Sequence, residues 1–462
     1  MKKINELLDV DYDINITGIT EDSREVSDGF LFVATKGYNV DHYDYIEDAI
    51  KKGCAFVVAD REIPMDFPHI VVDNIFDTYQ DLCCKFYDIH LKDFSFIGIT
   101  GTDGKTSTTT IIKNLIKDCA YIGTIGVEVG SDTYSTHNTT PCMNEFCCNL
   151  GRIQDHNVHT VSMEVSSEAL LHERVSHISY DIIGFTNITG DHLNIHGTFE
   201  EYVKCKMKLL DLVKEDGVIL VNGDDPILKT IDRDGVHTFG FDSKNEYVIT
   251  NVEYQKRGTD ITINDHIHLH SPYIGKYNVY NIVLAYLVGH YFGIEDKILA
   301  ERISNLKPIP GRCEFLDFGQ DYDIVLDYAH TINGIHTILD TFQNQGYSQV
   351  IALTGAAGGR EHEKRPIIGR NVIEKSDIAI FTMDDPRYED VNEIIDQLVG
   401  DSKDYVRIPD REEAIFYALS IAPPNSVVLI LGKGRDNYMA IEDRKDPYND
   451  YDVIQRYFNE KS

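Results

Sequence analysis

Short apolar runs alternate along this chain with polar or glycine-rich turns and with amphipathic stretches. Four such runs are FIGIT (96–100) before GTDGKT, VIAL (350–353) before TGAAGGRE, DIAIFTM (377–383) before DDPRYED, and VVLIL (427–431) before GKGRD. Runs rich in β-branched residues are typical of strands buried in a parallel sheet, and the amphipathic stretches are typical of helices. The alternation predicts βα units and an α/β fold. Ligands bind beyond the carboxyl ends of such strands, which is where the unusual residues of this chain lie.

The length of the chain predicts several domains. Its 462 residues exceed what a single core of about 250–300 residues accommodates. The stretch HLKDFSF (90–96) precedes the first strong strand, and LKPIPGR (306–312), with two prolines, has the composition of a linker. We therefore predict three domains, covering residues 1–93, 94–307 and 308–462.

The net charge excludes some classes of partner. Lys and Arg number 43 and Asp and Glu number 76, which gives a net charge of −33. Such a field repels nucleic acid and anionic membranes, so a polyanionic ligand must be held by local groups or by a metal. The N-terminus lacks the apolar core of a signal peptide, and no apolar stretch approaches the roughly 18 residues of a membrane span. The nine cysteines show no paired C-x-x-C spacing. We expect a cytoplasmic protein with free thiols and with neither nucleic acid nor membrane as a partner.

Residues 98–106, Gly-Ile-Thr-Gly-Thr-Asp-Gly-Lys-Thr, match the phosphate-loop pattern G-x-x-x-x-G-K-[ST]. They follow a predicted strand and open the predicted helix KTSTTTIIKNLIK, as this pattern requires. Backbone N–H groups of such a loop surround phosphate oxygens, its lysine neutralises them, and its hydroxyl reaches Mg²⁺. The segment predicts an ATP site whose cofactor-binding residues include Gly101, Thr102, Gly104, Lys105, Thr106 and Ser107.

Two more residues at predicted strand ends are candidate Mg²⁺ ligands. Glu164 ends the run VHTVSMEV, and His192 follows the run DIIGFTNI. Magnesium prefers oxygen ligands and tolerates a nitrogen ligand in nucleotide sites. Taken alone, a strand-end glutamate is more often a solvated loop residue than a metal ligand, and a lone histidine is more often a hydrogen-bonded structural residue.

Ten motifs of the chain resemble those of the Mur ligase family, in the same order and spacing. The motifs are GTDGKTSTTT, HNTTP (137–141), MEVSSEAL (163–170), FTNITGDHLNIHGTFEEY (185–202), KYNVYNIVLA (276–285), PGRCE (310–314), DYAHT (327–331), GGREHEKRP (358–366), DDPRYED (384–390) and GKGRDNY (432–438). The resemblance covers the chain from about Asp22 to its end. It is nearest to the MurE type, the UDP-N-acetylmuramoyl-tripeptide synthetases.

The resemblance implies an architecture and a reaction. A central phosphate-loop domain with a parallel sheet would be flanked by an N-terminal α/β domain for the UDP sugar and by a C-terminal Rossmann-like domain for the amino acid. ATP would phosphorylate a carboxylate of UDP-MurNAc-L-Ala-D-Glu, and the amine of a diamino acid would attack the acyl phosphate. The family implies a cytoplasmic ligase of peptidoglycan synthesis, here expected to be a monomer that acts on small molecules.

The family assigns roles around ATP to residues of this chain. Lys105 and Thr106 would hold phosphate and Mg²⁺, with Glu164 and His192 serving the metal. Asn281, Arg312 and Asp327 would contact the nucleotide, and His330 would lie against its adenine or ribose. Lys206 aligns with the family lysine that reacts with CO₂ to form a carbamate able to bind a second Mg²⁺. On periodicity alone, Lys204, Lys206 and Lys208 fit an ordinary solvated helix surface.

The family also assigns residues to the UDP-sugar substrate. The segment Asp22-Ser23-Arg24 resembles the one beside uridine, with Ser23 at its centre. The residues that would contact the diphosphate and muramoyl side are Asn138, Thr139, Thr140, Ser166 and Arg174. Backbone amides, hydroxyls and an arginine suit a diphosphate.

The segment Asp384-Asp385-Pro386-Arg387 bears on the amino acid that is added. In the MurE type, this arginine meets the distal carboxylate of meso-diaminopimelate, and lysine-adding relatives usually lack it. Arg360, Gly432 and Asp436 would hold the ends of the amino acid. A surface salt bridge of Arg387 with Glu389 or Asp390 is the structural alternative. We expect the Arg387 loop and the Lys105 turn to share one cleft.

Several residues depart from the family pattern: Asp103 for Asn, Glu168 for His, Gly190 for Arg, Asp385 for Asn, and Arg435-Asp436 for His-Glu. They leave lysine or another diamino acid open as the substrate. The other readings are a folylpolyglutamate synthetase, which lacks the Asp22-Ser23-Arg24 segment, and a noncatalytic Mur-like partner of an amidase, which usually carries a zinc-type cysteine cluster.

Overall fold

The computed structural model describes residues 1–36, 40–190, 193–359 and 362–461. Three sheets of four, eleven and six strands follow one another along this part of the chain, and two short two-stranded ribbons accompany them. Helices connect the parallel strands, so the α/β prediction is confirmed. The exact domain limits near 93 and 307 stay a prediction.

The first sheet is small and wholly parallel. The elements here are β1 (Lys2–Lys3), α1 (Ile4–Leu7), β2 (Asn15–Ile16), β3 (Gly18–Thr20), β4 (Phe30–Val33), a 3-10 helix (His42–Tyr45), α2 (Ile46–Lys51), β5 (Phe56–Ala59), β6 (His69–Val71), α3 (Ile75–Phe86) and a 3-10 helix (Leu91–Asp93). The strand order is β3-β4-β5-β6, and β1 and β2 form a ribbon.

The second sheet is built around the phosphate loop. Its elements are β7 (Ser95–Thr100), α4 (Lys105–Leu115), β8 (Cys119–Gly123), β9 (Gly126–Val129), β10 (Asp132–Tyr134), α5 (Met143–Asp155), β11 (Thr160–Glu164), α6 (Ser167–Leu171), β12 (Tyr180–Phe185), α7 (Leu193–His196), α8 (Phe199–Met207), 3-10 helices (Lys208–Leu212 and Leu228–Thr230), β13 (Val213–Asn222), β14 (Val236–Gly240), β15 (Tyr247–Gln255), β16 (Gly258–Ile263), β17 (Ile267–Ser271), α9 (Lys276–Tyr291) and α10 (Asp296–Ser304). The order is β10-β9-β8-β11-β7-β12-β13-β14-β15-β16-β17, with antiparallel hairpins at both edges.

The third sheet has a parallel core and one antiparallel edge strand. Its elements are β18 (Glu314–Leu316), β19 (Asp323–Asp327), α11 (Ile332–Gln343), β20 (Val350–Thr354), a 3-10 helix (His362–Lys364), α12 (Arg365–Lys375), β21 (Ile378–Phe381), α13 (Val391–Val399), β22 (Val406–Arg407), α14 (Arg411–Ile421), β23 (Val427–Leu431), β24 (Tyr438–Ile441), β25 (Arg444–Pro447) and α15 (Asp450–Lys461). The order is β18-β19-β23-β20-β21-β22, and β24 pairs with β25 as a ribbon.

The central strands are apolar on both faces because helices cover both sides of the sheet. In β7, Phe96 packs into the core on one side, whereas Ile97 and Ile99 pack into the core on the other. Successive side chains of a strand point to opposite faces, so an unbroken apolar run is what such a strand needs. This burial fixes β7 and thereby the position of the phosphate loop that follows it.

Within the described ranges, no helix combines the length and the apolar composition that crossing a bilayer would require.

Candidate functional site

The phosphate loop runs from the end of β7 to the first turn of α4. Gly104 has a φ of +87°, a left-handed conformation that favours glycine. A Cβ at Gly104 would come within 2.4 Å of Asn281 Oδ1. Asn281 thus packs directly against the loop, and its Oδ1 also accepts a bond from the Thr108 hydroxyl at 3.2 Å. The predicted nucleotide residue Asn281 therefore lies under the loop and fixes its shape.

Two lysine ammonium groups converge on the phosphate loop. Lys105 Nζ donates to the carbonyl oxygens of Gly101 and Thr102, each at 2.9 Å. Lys206 Nζ donates to the same Gly101 oxygen at 2.8 Å and lies 4.8 Å from the ring centroid of Tyr202. The side chain of Lys206 is only 1% exposed, so the solvated-surface reading of that residue is wrong. The two ammonium groups concentrate positive charge on the backbone oxygens of this loop in a strongly acidic chain.

Glu164 is fully buried at the end of β11, beside the first turn of α4. Its Oε2 accepts a bond from the Thr106 hydroxyl at 3.0 Å, and its Oε1 accepts bonds from the Tyr121 hydroxyl at 2.5 Å and the Thr124 N–H at 2.9 Å. Burial, followed by the Glu164 carboxylate, raises the pKa of Tyr121 well above its ordinary value, so the phenol stays a donor. Sequence reasoning missed Tyr121 and Thr124, because only the fold brings the end of β8 beside β11.

The Thr106 hydroxyl and the Glu164 carboxylate are adjacent oxygen groups of the kind that Mg²⁺ prefers. Within the described parts of the chain, no three His, Cys, Asp or Glu side chains are grouped as a ready-made metal site. The third predicted ligand, His192, lies outside the described residues. The oxygen donors fit a metal shared with nucleotide phosphates, which needs few protein ligands.

Arg312 joins the C-terminal part of the chain to the phosphate loop. Its Nη2 donates to Thr106 Oγ1 at 3.1 Å, and its guanidinium stacks 4.5 Å from the ring centroid of Tyr328. Its Nε is buried and has no hydrogen-bond partner among the described residues. A guanidinium with an unused donor beside the loop threonine suits the binding of a phosphate oxygen.

Asp327 and His330, the other two predicted nucleotide residues of this region, lie at the end of β19. The two oxygens of Asp327 accept bonds from the backbone N–H groups of Cys313 at 2.6 Å and Ala329 at 2.7 Å. Burial raises the pKa of this carboxyl group. His330 is exposed, and its Nδ1 lies 2.7 Å from the Tyr328 carbonyl oxygen. In this arrangement Asp327 fixes the turn that carries Arg312, while His330 faces outward.

Asp103 links the phosphate loop to the first turn of α11. Its Oδ1 accepts a bond from the Thr331 hydroxyl at 3.1 Å, and its Oδ2 accepts one from the Asn333 amide at 3.2 Å. Thr331 is itself the N-cap of α11. A carboxylate near a helix N-terminus is favourable, whereas the same charge in a phosphate loop repels phosphate. The carboxylate at this position thus connects the phosphate loop to the start of α11, whereas its charge would repel a phosphate bound at the loop.

Replacing Asp103 by Asn, the residue usual in the family, is expected to lower the KM for ATP by about 2- to 5-fold. Two unit charges that are about 4–8 Å apart in water interact by about 0.5–1 kcal/mol, which corresponds to a change in KM of this size. The effect is checked by steady-state kinetics at low and at high salt, because high salt screens the repulsion and narrows the difference. An unchanged KM at low salt would contradict this account of Asp103.

The predicted diphosphate residues surround the end of β11. Thr140 Oγ1 donates to the Glu164 carbonyl at 2.9 Å and accepts from the Ser166 N–H at 3.0 Å. Arg174 Nη1 donates to the Thr140 carbonyl at 3.4 Å, and the Thr139 hydroxyl lies 3.1 Å from that of Thr124. The structure therefore brings Thr139, Thr140, Ser166 and Arg174 together next to the buried carboxylate.

Of the two remaining predicted UDP-sugar residues, Asn138 adjoins this group and Ser23 lies in a different part of the chain. Asn138 is exposed on the same loop, just before Thr139. Ser23 is buried after β3, and its carbonyl oxygen accepts a bond from Lys52 Nζ at 2.9 Å. The N-terminal sheet thus carries Ser23, whereas the central sheet carries the rest.

A buried lysine that sequence reasoning missed organises the predicted amino-acid site. Lys433 is 1% exposed, and its Nζ lies 2.8 Å from Asp385 Oδ1, 3.4 Å from Asp436 Oδ2 and 4.0 Å from Asp384 Oδ1. Burial opposes its charged form, but the carboxylates outweigh burial and raise the pKa of Lys433. The signal was present in the motif GKGRD, where Lys433 directly follows Gly432. We call Asp384, Asp385, Lys433 and Asp436 the acidic cluster.

Gly432 permits a close approach in the acidic cluster. It has a φ of +107°, and a Cβ there would come within 2.3 Å of Asp384 Oδ2. Burial raises the pKa of Asp384. Three carboxylates and one ammonium leave the cluster with an excess of negative charge, which suits an amino group of a substrate.

Arg387 occupies a tight turn beside the acidic cluster, just after Pro386. It has a φ of +52°, and its N–H donates to the Ala440 carbonyl at 3.0 Å. Its Nη1 would lie 3.8 Å from a Cβ at Gly359. Its neighbour in the predicted site, Arg360, lies outside the described residues.

The salt-bridge alternative for Arg387 is not what the structure shows among the described residues. Glu389 binds Arg365 instead, with an Oε2 to Nη1 distance of 2.7 Å, and this pairing lowers the pKa of Glu389 to about 2. Asp390 accepts bonds from backbone N–H groups as the N-cap of α13. Among the described residues, neither of these two acids is thus engaged by the guanidinium of Arg387.

Contacts run continuously from the phosphate loop to the acidic cluster. Arg312 contacts both Thr106 and Tyr328, and the Tyr328 hydroxyl donates to Asp436 Oδ1 at 2.8 Å. Asp436 in turn contacts Lys433 at 3.4 Å. Lys433 contacts Asp385 at 2.8 Å. The phosphate loop and the loop that carries Arg387 are therefore joined through four intervening side chains, those of Arg312, Tyr328, Asp436 and Lys433.

Arg435, a departure from the family pattern, has a structural role. Its Nε and Nη2 donate to Glu314 at 2.8 and 2.6 Å, and its guanidinium stacks 3.7 Å from the ring centroid of Tyr451. A bidentate, partly buried pair of this type is among the stronger ion pairs. It holds the start of the third sheet against the segment that bears Asp436.

Comparisons with known proteins agree with this geometry. Models of the Mur ligase family match residues 15–82 (Mur ligase family, catalytic domain), 99–289 (Mur ligase middle domain) and 311–434 (Mur ligase, glutamate ligase domain). A UDP-N-acetylmuramoyl-L-alanyl-D-glutamate--2,6-diaminopimelate ligase of Bacillus cereus is 34% identical over 95% of this chain and 93% of its own length. A ligase of the same name from Fusobacterium nucleatum is 33% identical over 97% and 95%.

Solved structures show the same fold. A UDP-N-acetylmuramoyl-L-alanyl-D-glutamate--2,6-diaminopimelate ligase has a TM-score of 0.67 at 24% identity, covering 100% of this chain and 99% of its own. The MurF ligase of Thermotoga maritima in complex with ADP has a TM-score of 0.68 at 19% identity, covering 96% and 98%. Together with the near-complete coverage of the relatives, these matches identify the chain as a member of the Mur ligase family.

Proposed function

We propose that this protein is an ATP-dependent ligase that adds a diamino acid, meso-diaminopimelate in preference, to UDP-MurNAc-L-Ala-D-Glu in peptidoglycan precursor synthesis. The observation that carries the proposal is the run of contacts from Thr106 through Arg312, Tyr328 and Asp436 to the acidic cluster. Relatives at 34% identity that are named for this reaction support it.

The chemistry explains why a phosphate loop and an amino-acid site must be neighbours. A carboxylate is a poor electrophile, so one of its oxygens attacks the γ-phosphorus of ATP, ADP leaves, and an acyl phosphate forms. The amine then attacks the carbonyl carbon, phosphate leaves, and an amide bond forms. Lys105 and Arg312 offset the negative charge that builds up when the two anions meet.

Thr106 and Glu164 would hold Mg²⁺, which supplies further positive charge to the phosphates when bound. We also propose that Lys206 carries a carbamate. Its amine is buried and faces oxygen atoms of the loop, so reaction with CO₂, with loss of a proton, would replace a cation there by an anion. An anionic group at that position suits a second divalent cation.

The carbamate is tested without reference to turnover. Protein equilibrated with ¹³C-bicarbonate is expected to show one carbamate carbonyl resonance in its NMR spectrum, because among the described residues Lys206 is the buried lysine that faces the loop. Lys206→Met should abolish the resonance, and Lys204→Met, which removes an exposed lysine of the same helix, should retain it. A resonance that survives in Lys206→Met, or none in the unmodified protein, would refute the assignment.

The proposed activity is tested by a ligation assay with UDP-MurNAc-L-Ala-D-Glu and ATP. We offer meso-diaminopimelate, L-lysine and L-ornithine in parallel and measure phosphate release and product mass. Diaminopimelate is expected to react best. A large preference for lysine would refute the role of Arg387, and the absence of product with all three amines would refute the ligase.

Arg387→Ala is expected to raise the KM for meso-diaminopimelate by about 10- to 100-fold, because a charge-assisted bidentate contact is worth about 1.5–3 kcal/mol. The KM values for ATP and the UDP substrate should stay close to those of the unmodified protein. Arg444→Ala, which removes an exposed arginine on the neighbouring β25, is the matched control. Equal effects of both substitutions would mean that Arg387 contributes only general positive charge.

A further inference from the structure

Two thiols from distant parts of the chain lie in contact, away from the nucleotide site. Cys84 is on α3 and Cys147 is on α5, and their Sγ atoms are 3.8 Å apart. Both are free cysteines; Cys84 is half-buried and Cys147 is fully buried. A disulfide has an S–S length of about 2.05 Å, so the two sulfur atoms would need to approach by less than about 2 Å.

The pair lies where the core of the first sheet meets α5. Met143 and Cys147, on one face of α5, pack into the core of the four-stranded sheet together with Leu82 of α3. Phe146 and Leu150, on another face of α5, pack into the core of the eleven-stranded sheet. A bond between Cys84 and Cys147 would therefore tie the helix that covers the first sheet to a helix that covers the second.

We propose that Cys84 and Cys147 form a reversible dithiol–disulfide site that a peroxide oxidises. The Cys84 thiolate attacks one oxygen of hydrogen peroxide, the O–O bond breaks, and a sulfenic acid and hydroxide form. Cys147 sulfur then attacks Cys84 Sγ, the S–S bond forms, and water leaves. In total, two thiols and one hydrogen peroxide give one disulfide and two waters, with two electrons passing from sulfur to oxygen.

The environments of the two thiols assign the order of events. The hydrogen bond with Cys147 lowers the pKa of Cys84, and Cys84 is the partner that solvent reaches. The same hydrogen bond, followed by burial, raises the pKa of Cys147. Peroxides react with accessible thiolates, so Cys84 is the attacking residue and Cys147 the resolving one.

The neighbouring cysteines provide matched controls. Cys83 precedes Cys84 on α3 and is fully buried, and burial is the main reason that its pKa is raised. Cys148 follows Cys147 on α5 and is half-buried. Consecutive residues of a helix face different directions. Cys83 therefore cannot take the place of Cys84, nor Cys148 that of Cys147, unless the helix rotates.

The test uses the reduced full-length protein treated with hydrogen peroxide. We expect the number of thiols counted in the denatured protein to fall from nine to seven. The denatured chain should also migrate faster on a nonreducing gel, because the bond closes a loop between residues 84 and 147. Dithiothreitol should restore all nine thiols. Cys83→Ser and Cys148→Ser should each retain the crosslink, whereas Cys84→Ser and Cys147→Ala should each abolish it.

The proposal is overturned if the unmodified protein keeps nine thiols, if Cys84 accumulates as a sulfinic acid without a crosslink, or if the crosslink persists in Cys84→Ser. Mapping the crosslinked peptides of the unmodified protein gives an answer even where a variant fails to fold. The readout is the state of the thiols rather than turnover, so its result is independent of the proposed ligase activity.

Discussion

Lys105→Met is expected to lower the rate of ATP-dependent phosphate release by about 10²–10³-fold or more. In the structure the Lys105 ammonium bonds two carbonyl oxygens of the phosphate loop and so lies where the β and γ phosphates of ATP would bind. Removing one preorganised donor from a site where negative charge develops typically lowers the rate by about 10²–10³-fold. Methionine keeps the length and the apolar stem of lysine, so the change isolates the charge.

The measurement is the kcat for phosphate release with all substrates saturating, together with calorimetric titration of ATP. Lys117→Met is the control. Lys117 is exposed and lies just after the C-terminal end of α4, whereas the phosphate loop lies at the N-terminal end of that helix. A kcat for Lys105→Met within tenfold of the control would show that this loop does not bind the reacting phosphates.

The phosphate loop could be predicted from the sequence because its signals are local. An apolar strand, a glycine-rich turn and a helix start follow one another within about 20 residues, and each is set by neighbours in the chain. The strands before the Asp384 and Gly432 motifs could also be predicted from local apolar runs. The structure has these strands at 378–381 and 427–431.

The surroundings of Glu164 could not be predicted in the same way. Its partners Tyr121 and Thr106 lie 43 and 58 residues away, and only the pairing of β11 with β7 and β8 brings them together. Similarly, helical periodicity cannot tell which lysine of α8 faces the loop. The burial of Lys206 depends on Tyr202 and Gly101, which belong to different elements.

The departures at the end of the chain show how a changed motif can keep its geometry. Asp436 is one methylene shorter than the Glu usual in the family, yet its carboxylate reaches both Tyr328 and Lys433. The guanidinium of Arg435 forms an ion pair with Glu314. The partners Tyr328, Lys433 and Glu314 lie in three separate segments, so these contacts could not be predicted from the motif alone.

Lys433→Met is expected to destabilise the protein by about 3–5 kcal/mol and to abolish binding of the amino acid. Lys433 is the buried cation that the carboxylates of Asp384, Asp385 and Asp436 share, and removing one partner of a buried ionic group leaves the others uncompensated. The free energy of unfolding is measured by urea denaturation, and binding of the amino acid by calorimetry.

A second substitution separates charge from packing in the acidic cluster. Lys433→Met combined with Asp385→Asn is expected to recover a large part of the lost stability, because removing both partners of a buried pair costs much less than removing one. Lys445→Met is the control. Lys433 Nζ lies 5.3 Å from the ring centroid of Tyr438, and Lys445 Nζ lies 4.4 Å from the same centroid but is exposed. If the double variant were no more stable than Lys433→Met, the loss would come from packing, and Lys433 would not be the group that holds the three carboxylates together.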